Sequence, residues 1–184
     1  MYRSLLFLLV AFALDSARPS TVRAATVSNT LAGSIVCDAK SPITDWKGTN
    51  LAVTGTVTWN GETKTMAADV WVDLEKWDSH NPLRDKHTRT MFEVEKFPRA
   101  HFTVAGVSGN TDAGEVMLRG TLDMHGVKRE IQIPGKLQVA NGRISFQGNI
   151  DVKITEYGMK RPSLLGAQVA DLVKLTVQAQ GKSQ

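Results

Sequence analysis

The sequence predicts an all-β protein, a single antiparallel sandwich or closed barrel of about eight strands interrupted by one short helix. Three observations carry that reading. Apolar and polar residues alternate in short runs over most of the chain from residue 26 to residue 180. Turn residues, at Asn60-Gly61, Ser108 to Gly114, His125-Gly126 and Asn141-Gly142, separate several of these runs. Only the stretch that begins at Asn81 follows a helical period. No repeat, low-complexity tract or linker divides residues 26–180, so one domain is expected.

In chain order, residues 1–24 read as a cleaved Sec-type export signal. Arg3 supplies the positive start, Leu5 to Leu14 the apolar run, and Val22-Arg23-Ala24 the small residues before a cut at Ala25. Spanning a bilayer would need roughly 20 apolar residues, and Asp15, Arg18 and Arg23 interrupt too early. The expectation is therefore a periplasmic domain over residues 25–184 with no integral membrane span. Expected strands cover residues 31–40, Leu51 to Trp59, Thr65 to Trp77, His101 to Val107, Glu115 to Met124, Lys128 to Pro134, Arg143 to Thr155 and Leu172 to Gln180. In the third, Val70, Val72 and Leu74 share one face, and Asp69, Trp71 and Asp73 the other. Closing the sheet would remove its exposed edges. For the helix, Asn81 can cap, Pro82 suits the first helical position, Leu83, His87 and Met91 recur at i, i+4 and i+8, and Pro98 stops continuation past Phe97. Such a helix, inserted between barrel strands, is expected to cover one end. An irregular stretch from Tyr157 to Gly166, with apolar Met159, Leu164 and Leu165, joins the last two strands.

Charge and motifs exclude several classes. The chain has 22 Lys+Arg against 18 Asp+Glu, a net +4. Arg3, Arg18 and Arg23 against Asp15 place half of that excess in the signal, and no basic cluster marks a nucleic-acid surface. Cys37 is the single cysteine, so no intramolecular disulfide forms; it reads as a small buried strand residue. No Gly-x-Ser-x-Gly, phosphate-cradling glycine loop or HExxH is present. The histidines, His80, His87, His101 and His125, form no close ligand pair, and neither metal nor cofactor is expected. Asp69 and Asp73, at i and i+4 on a strand, would stand about 13 Å apart, too far for a retaining glycosidase pair. His125 reads as a surface residue bonding its own hairpin. Arg84, Asp85 and His87 read as a clasp, with a local Arg84–Asp85 pair tying the helix to the barrel.

Four segments resemble the YceI-like family: Arg84-Asp85-Lys86-His87; Glu93-Val94-Glu95-Lys96-Phe97-Pro98 with Phe102; Gly120-Thr121-Leu122-Asp123-Met124-His125-Gly126-Val127; and Tyr157-Gly158 with Arg161-Pro162-Ser163-Leu164-Leu165-Gly166. Thr88 and Asp123 depart from the family pattern, and residues 26–50 lack its usual opening. The resemblance implies a lipocalin-like, eight-stranded barrel whose elongated pocket takes polyisoprenoid chains, including isoprenoid quinones, without catalysis. The alternating residues Val70, Val72, Leu74, Val116, Leu118, Leu122, Ile144, Phe146, Ile150, Val152 and Ile154 supply an apolar inner set. They can pack a filled core or line a cavity, since a barrel of about eight strands can do either. All of these but Ile154, with Arg84 and His87 at a headgroup, are the expected ligand contacts. Two other classes stay open: a periplasmic stress or interaction protein that binds a partner through an exposed tryptophan, and a lipid-active hydrolase. Oligomeric state is also open, a dimer included.

Overall fold

The computed structural model describes residues 26–40, 45–112, 114–164 and 167–183. The expected signal segment, and Leu165-Gly166 of the irregular stretch, lie outside the described residues. Among those described, eight long strands form the wall: β1 (Thr26–Ala39), β2 (Trp46–Asn60), β3 (Thr65–Asp73), β5 (Arg99–Asn110), β6 (Glu115–Met124), β7 (Val127–Ala140), β8 (Arg143–Lys153) and β11 (Leu172–Ser183). Their hydrogen-bonded order is β1-β11-β8-β7-β6-β5-β3-β2, and β2 pairs back onto β1, so the antiparallel sheet closes into a barrel. A short β4 (Trp77–Asp78) adds to the start of β2, and β9 (Ser163–Leu164) pairs with β10 (Ala167–Gln168). Helix α1 spans Pro82–Phe92.

Local chemistry explains the turns. His125-Gly126 and Asn141-Gly142 are two-residue connections with both residues left-handed, at φ 55° and 77° and at φ 51° and 72°. That backbone matches the twist of the flanking strands. At Asn60-Gly61 a tight turn was expected, but Asn60 pairs with Thr65 across a four-residue loop. Asn60 Oδ1 accepts from the N–H groups of Glu62 (2.9 Å) and Thr63 (3.0 Å), and Lys64 takes the left-handed conformation. The side chain organises the loop here, so glycine need not supply the reversal.

Several strand expectations shift, and β1 and β2 begin earlier than expected, at Thr26 and Trp46. The run expected to Trp77 stops at Asp73, whose carboxylate accepts the Glu75 N–H at 3.0 Å and starts a 3-10 turn over Leu74–Lys76. Ile154 likewise opens a 3-10 turn over Ile154–Tyr157. Leu74 and Ile154 are thus buried from turns at the barrel rim rather than from strands. Strand β7 runs past Pro134 to Ala140, and its ladder with β8 ends at Gly135↔Gly148, beside the proline that has no N–H to donate.

The interior has two halves. At one end Leu31, Val57, Trp59, Met66, Leu118, Ile133, Leu137 and Ile144 interdigitate, with Val70, Phe102 and Phe146 packed against them. At the other, Leu74, Phe92, Val94, Ala100, Met124, Val152, Ile154, Tyr157 and Met159 form a second cluster beneath α1. The barrel is filled at the first end. The cavity lies at the second.

Candidate functional site

The strands enter the second half carrying small inward residues: Cys37 and Ala39 from β1, Gly48 from β2 and Ala100 from β5. The equivalent faces at the filled end carry Trp59, Leu118 and Leu137. The space beneath the helix stays open as a cavity of about 360 Å³. That is within, and at the small end of, the range of small-molecule sites. Its wall is largely apolar, with Ile35, Val72, Leu74, Leu122, Met124, Val152, Val173 and Leu175 from the barrel and Met159 and Val169 from the stretch before β11.

Helix α1 covers the opening. Asn81 Oδ1 accepts the Arg84 N–H at 3.1 Å, Pro82 occupies the first turn, and Glu93 ends the helix in the left-handed region at φ 48°. Leu83, Arg84, Asp85, His87, Thr88, Met91 and Phe92 reach the cavity from it. Leu83 does so while 63 % exposed, which marks the mouth.

The polar groups at this mouth are organised differently from expectation. Asp85 is buried and does not ion-pair with Arg84; its Oδ1 accepts from the Ser79 N–H at 2.9 Å and the Ser79 hydroxyl at 2.6 Å. Arg84 instead lies over the Trp46 ring, 5.0 Å from its centroid, with Nη1 3.5 Å from the Ser79 carbonyl. The clasp of the helix is therefore Asp85–Ser79, because a buried carboxylate needs donors at fixed positions while the guanidinium can stack at the surface. His87 is exposed and lines the rim.

His125 also departs from a surface role. Its side chain is only 10 % exposed, and Nδ1–H donates to the Tyr157 carbonyl at 3.0 Å. Nε2 lies 3.4 Å from Glu93 Oε1, close enough to attract a protonated ring but outside hydrogen-bond geometry. The hairpin turn thus ties together the end of α1 and the 3-10 turn after β8. His101 is on the outside of the barrel, stacked on Trp71 at 3.8 Å and 3.0 Å from Asp69 Oδ1. In the cavity wall, burial and the neighbouring Asp38 carboxylate push the Cys37 thiol up to about 12, so it stays protonated.

Of the residues expected to contact a ligand, Val72, Leu74, Arg84, His87, Leu122 and Val152 line the cavity. Val116, Leu118 and Ile144 lie in the filled end, Val70 and Phe146 pack against it, and Ile150 touches both clusters. The alternation had put them all inside but at no particular height. Sequence reasoning missed Trp46, Trp77, Met91, Val173 and Leu175, and the β1 residues Ile35, Cys37 and Ala39.

A closed antiparallel barrel, filled at one end and hollow beneath a helix at the other, defines a lipocalin-like protein with an internal apolar cavity. The YceI-like domain profile matches residues 20–181, and the chain belongs to that family. Solved structures agree in fold. BcnA of Burkholderia cenocepacia superposes with a TM-score of 0.73 at 14 % identity, covering 82 % of this chain and 96 % of BcnA. A polyisoprenoid binding domain from Saccharophagus degradans, implicated in plant cell wall breakdown, gives 0.62 at 16 % identity, with 87 % and 100 % covered. The Campylobacter jejuni YCEI protein gives 0.65 at 20 % identity, with 79 % and 90 % covered. No curated protein matches the chain by sequence search.

Proposed function

We propose that this protein is a non-enzymatic, exported periplasmic binding or carrier protein for one long apolar chain of isoprenoid type, a lipid or a quinone, held in the capped end of the barrel. The observation that carries this reading is the apolar cavity itself, open at a rim where Leu83 is exposed and Arg84 and His87 are among the polar residues of the lining. The polyisoprenoid-binding relative from Saccharophagus degradans, of the same fold, supports the ligand class. Burying hydrocarbon is worth roughly 0.8 kcal/mol per methylene. About three or four isoprenoid units would then offset the several kcal/mol lost on association. Val72, Leu74, Leu122 and Val152 are proposed to touch the chain. Val70, Val116, Leu118, Ile144, Ile150 and Phe146 would support the wall that holds it. Residues 1–24 would direct export.

Native mass spectrometry of protein exported and purified without detergent, followed by organic extraction, tests this. The expected result is a discrete adduct that extracts as an isoprenoid, and its loss in a folded Ala100→Phe variant that fills the cavity. A bare polypeptide mass under conditions that retain lipid in a known lipid carrier would overturn the reading. A second reading, a protein-interaction module, would then gain from Trp71, which stands 40 % exposed on the outer wall.

A further inference from the structure

Apolar surface that the fold leaves in water gathers where the cavity opens. Among the described residues, the two most exposed large apolar side chains are Leu51, at 75 %, and Leu83, at 63 %; no other exceeds 40 %. Leu83 lines the cavity from the first turn of α1. Leu51 lies in a groove with Thr49, Lys76, Asp78 and His80, and Asp78 borders both that groove and the cavity. A single exposed leucine is ordinary, but two beside the mouth of an apolar cavity make a contact face.

The charge around this face is largely of one sign. Helix α1 and residues 159–163, which both line the cavity, carry Arg84, Lys86, Arg89, Lys160 and Arg161 against one acid, Asp85. Asp85 is buried and bonded to Ser79, so it presents no carboxylate to solvent. Lys86 and Lys160 are exposed, line no part of the cavity and have no ion-pair partner among the described residues. The other charges at this end are balanced. Lys40 pairs with Asp45, Lys47 with Asp38, His80 Nδ1 lies 3.3 Å from Asp78 Oδ2, and Glu75 precedes Lys76. Asp171 offsets part of the Arg161 charge while bonding Thr155. Apolar side chains ringed by cations fit a surface that is anionic outside and apolar within, as a bilayer of anionic lipid is. A protein partner would have to supply both features and then accept the apolar chain; a bilayer is already the phase in which such a chain dissolves.

We propose that the α1 end of the barrel docks on an anionic bilayer, with Leu51 and Leu83 entering the headgroup layer so that the cavity opens onto lipid. This rests on the apolar-chain reading above and adds the partner with which the chain is exchanged. Two leucines and a few cations make a weak contact that salt reverses, as a carrier that must leave the membrane requires. Flotation of the full-length exported protein with phosphatidylcholine vesicles, with and without phosphatidylglycerol, measures docking independently of any bound chain. Binding is expected only with phosphatidylglycerol, at low salt. Lys86→Gln with Lys160→Gln should lower the partition coefficient at least about tenfold, on the scale of about fivefold per basic residue. Leu51→Ser with Leu83→Ser should lower it by at least about tenfold as well. Lys136→Gln with Arg143→Gln removes the same charge beside Leu137 and Ile144 of the filled end, and should change it less than about twofold. No binding of the unaltered protein to phosphatidylglycerol vesicles overturns the proposal and leaves a protein as the partner of this face. An equal loss in the two charge variants, or none in the leucine variant, also overturns it, because general charge attraction then accounts for the binding. A chain that co-purifies with a protein binding no vesicle removes the docking surface and leaves the carrier reading. Vesicle binding by a protein that retains no chain does the reverse.

Discussion

At Asn50 one side chain sets how the barrel wall bends. Strand β2 pairs Val53 with Gly33 but Asn50 with Ile35, so Leu51 and Ala52 form a bulge. Before it Gly48 and Asn50 are buried; after it the buried set is Val53, Val57 and Trp59. Asn50 is fully buried, accepts the Ala52 N–H at 2.9 Å and donates to the Asp73 carbonyl at 2.7 Å. It satisfies the bulge and pins the end of β3, where the cavity wall begins. The bulge also turns Leu51 out to solvent at 75 % exposure. Cys37 shows burial acting on a titratable group. Its thiol rises from 9.0 to about 12, with desolvation the larger cause and Asp38 the smaller. A raised folded-state value contributes stability that is complete below pH 9 and is lost as pH rises through about 12. Urea unfolding of wild type and Cys37→Ala at pH 8 and pH 11 should show wild type losing the more stability between them. Equal losses would mean that the thiolate is accommodated without penalty. That Cys37 is small, apolar and buried was readable from its strand; that it faces a cavity was not.

Among the elements, α1 was the most legible. Its cap Asn81, its proline and its period lie within a dozen residues, and the helix forms over Pro82–Phe92 as those signals require. The strands were less so where one element presses on another. On β6, Gly120 faces inward against β5, and a Cβ there would fall 2.1 Å from the Thr103 carbonyl oxygen and 2.9 Å from the Phe102 ring. Only glycine allows so close an approach, and Phe102 covers the space that a side chain would fill. Gly120→Ala should therefore destabilise the protein by at least about 2 kcal/mol, within the usual cost of overpacking. A urea midpoint shift equivalent to less than about 0.5 kcal/mol would show that β5 and β6 separate freely. The stretch after β8 is tied down by polar contacts. Thr155 N–H and its hydroxyl bond Asp171 at 3.0 and 2.7 Å, and these donors hold the exposed Asp171 carboxyl below its ordinary range. Such a side-chain clasp between residues sixteen apart has no local sequence signature.

On the scale of the whole molecule, the two interior halves should answer differently to mutation. Leu118 is 5 % exposed in the filled end. Leu118→Asp puts an unpaired charge there and should cost more than about 4 kcal/mol, enough to unfold a domain of marginal stability. Leu122, four residues along the same strand, lines the cavity and is half-buried. Leu122→Ser should leave a cooperative fold by circular dichroism and weaken retention of a co-purifying apolar chain. Equal loss of folding in both variants would mean that the cavity end is as much a structural core as the other.

By itself the sequence determined the all-β class, the inward faces of the strands, the positions of most turns and the capped helix. Each follows from interactions among residues a few positions apart: period-2 alternation, left-handed turn residues, an N-cap. Tertiary structure alone decided what those inward faces do. Alternation specifies the side of a sheet but not the height in a barrel, which depends on strand stagger, on bulges at Leu51-Ala52 and Ala105, and on closure of β1 onto β2. That is why Leu118 and Leu122, alike in sequence, end in a packed core and in a cavity wall. The same long-range packing leaves the Trp77 N–H unbonded, and no pattern along the chain could have announced it.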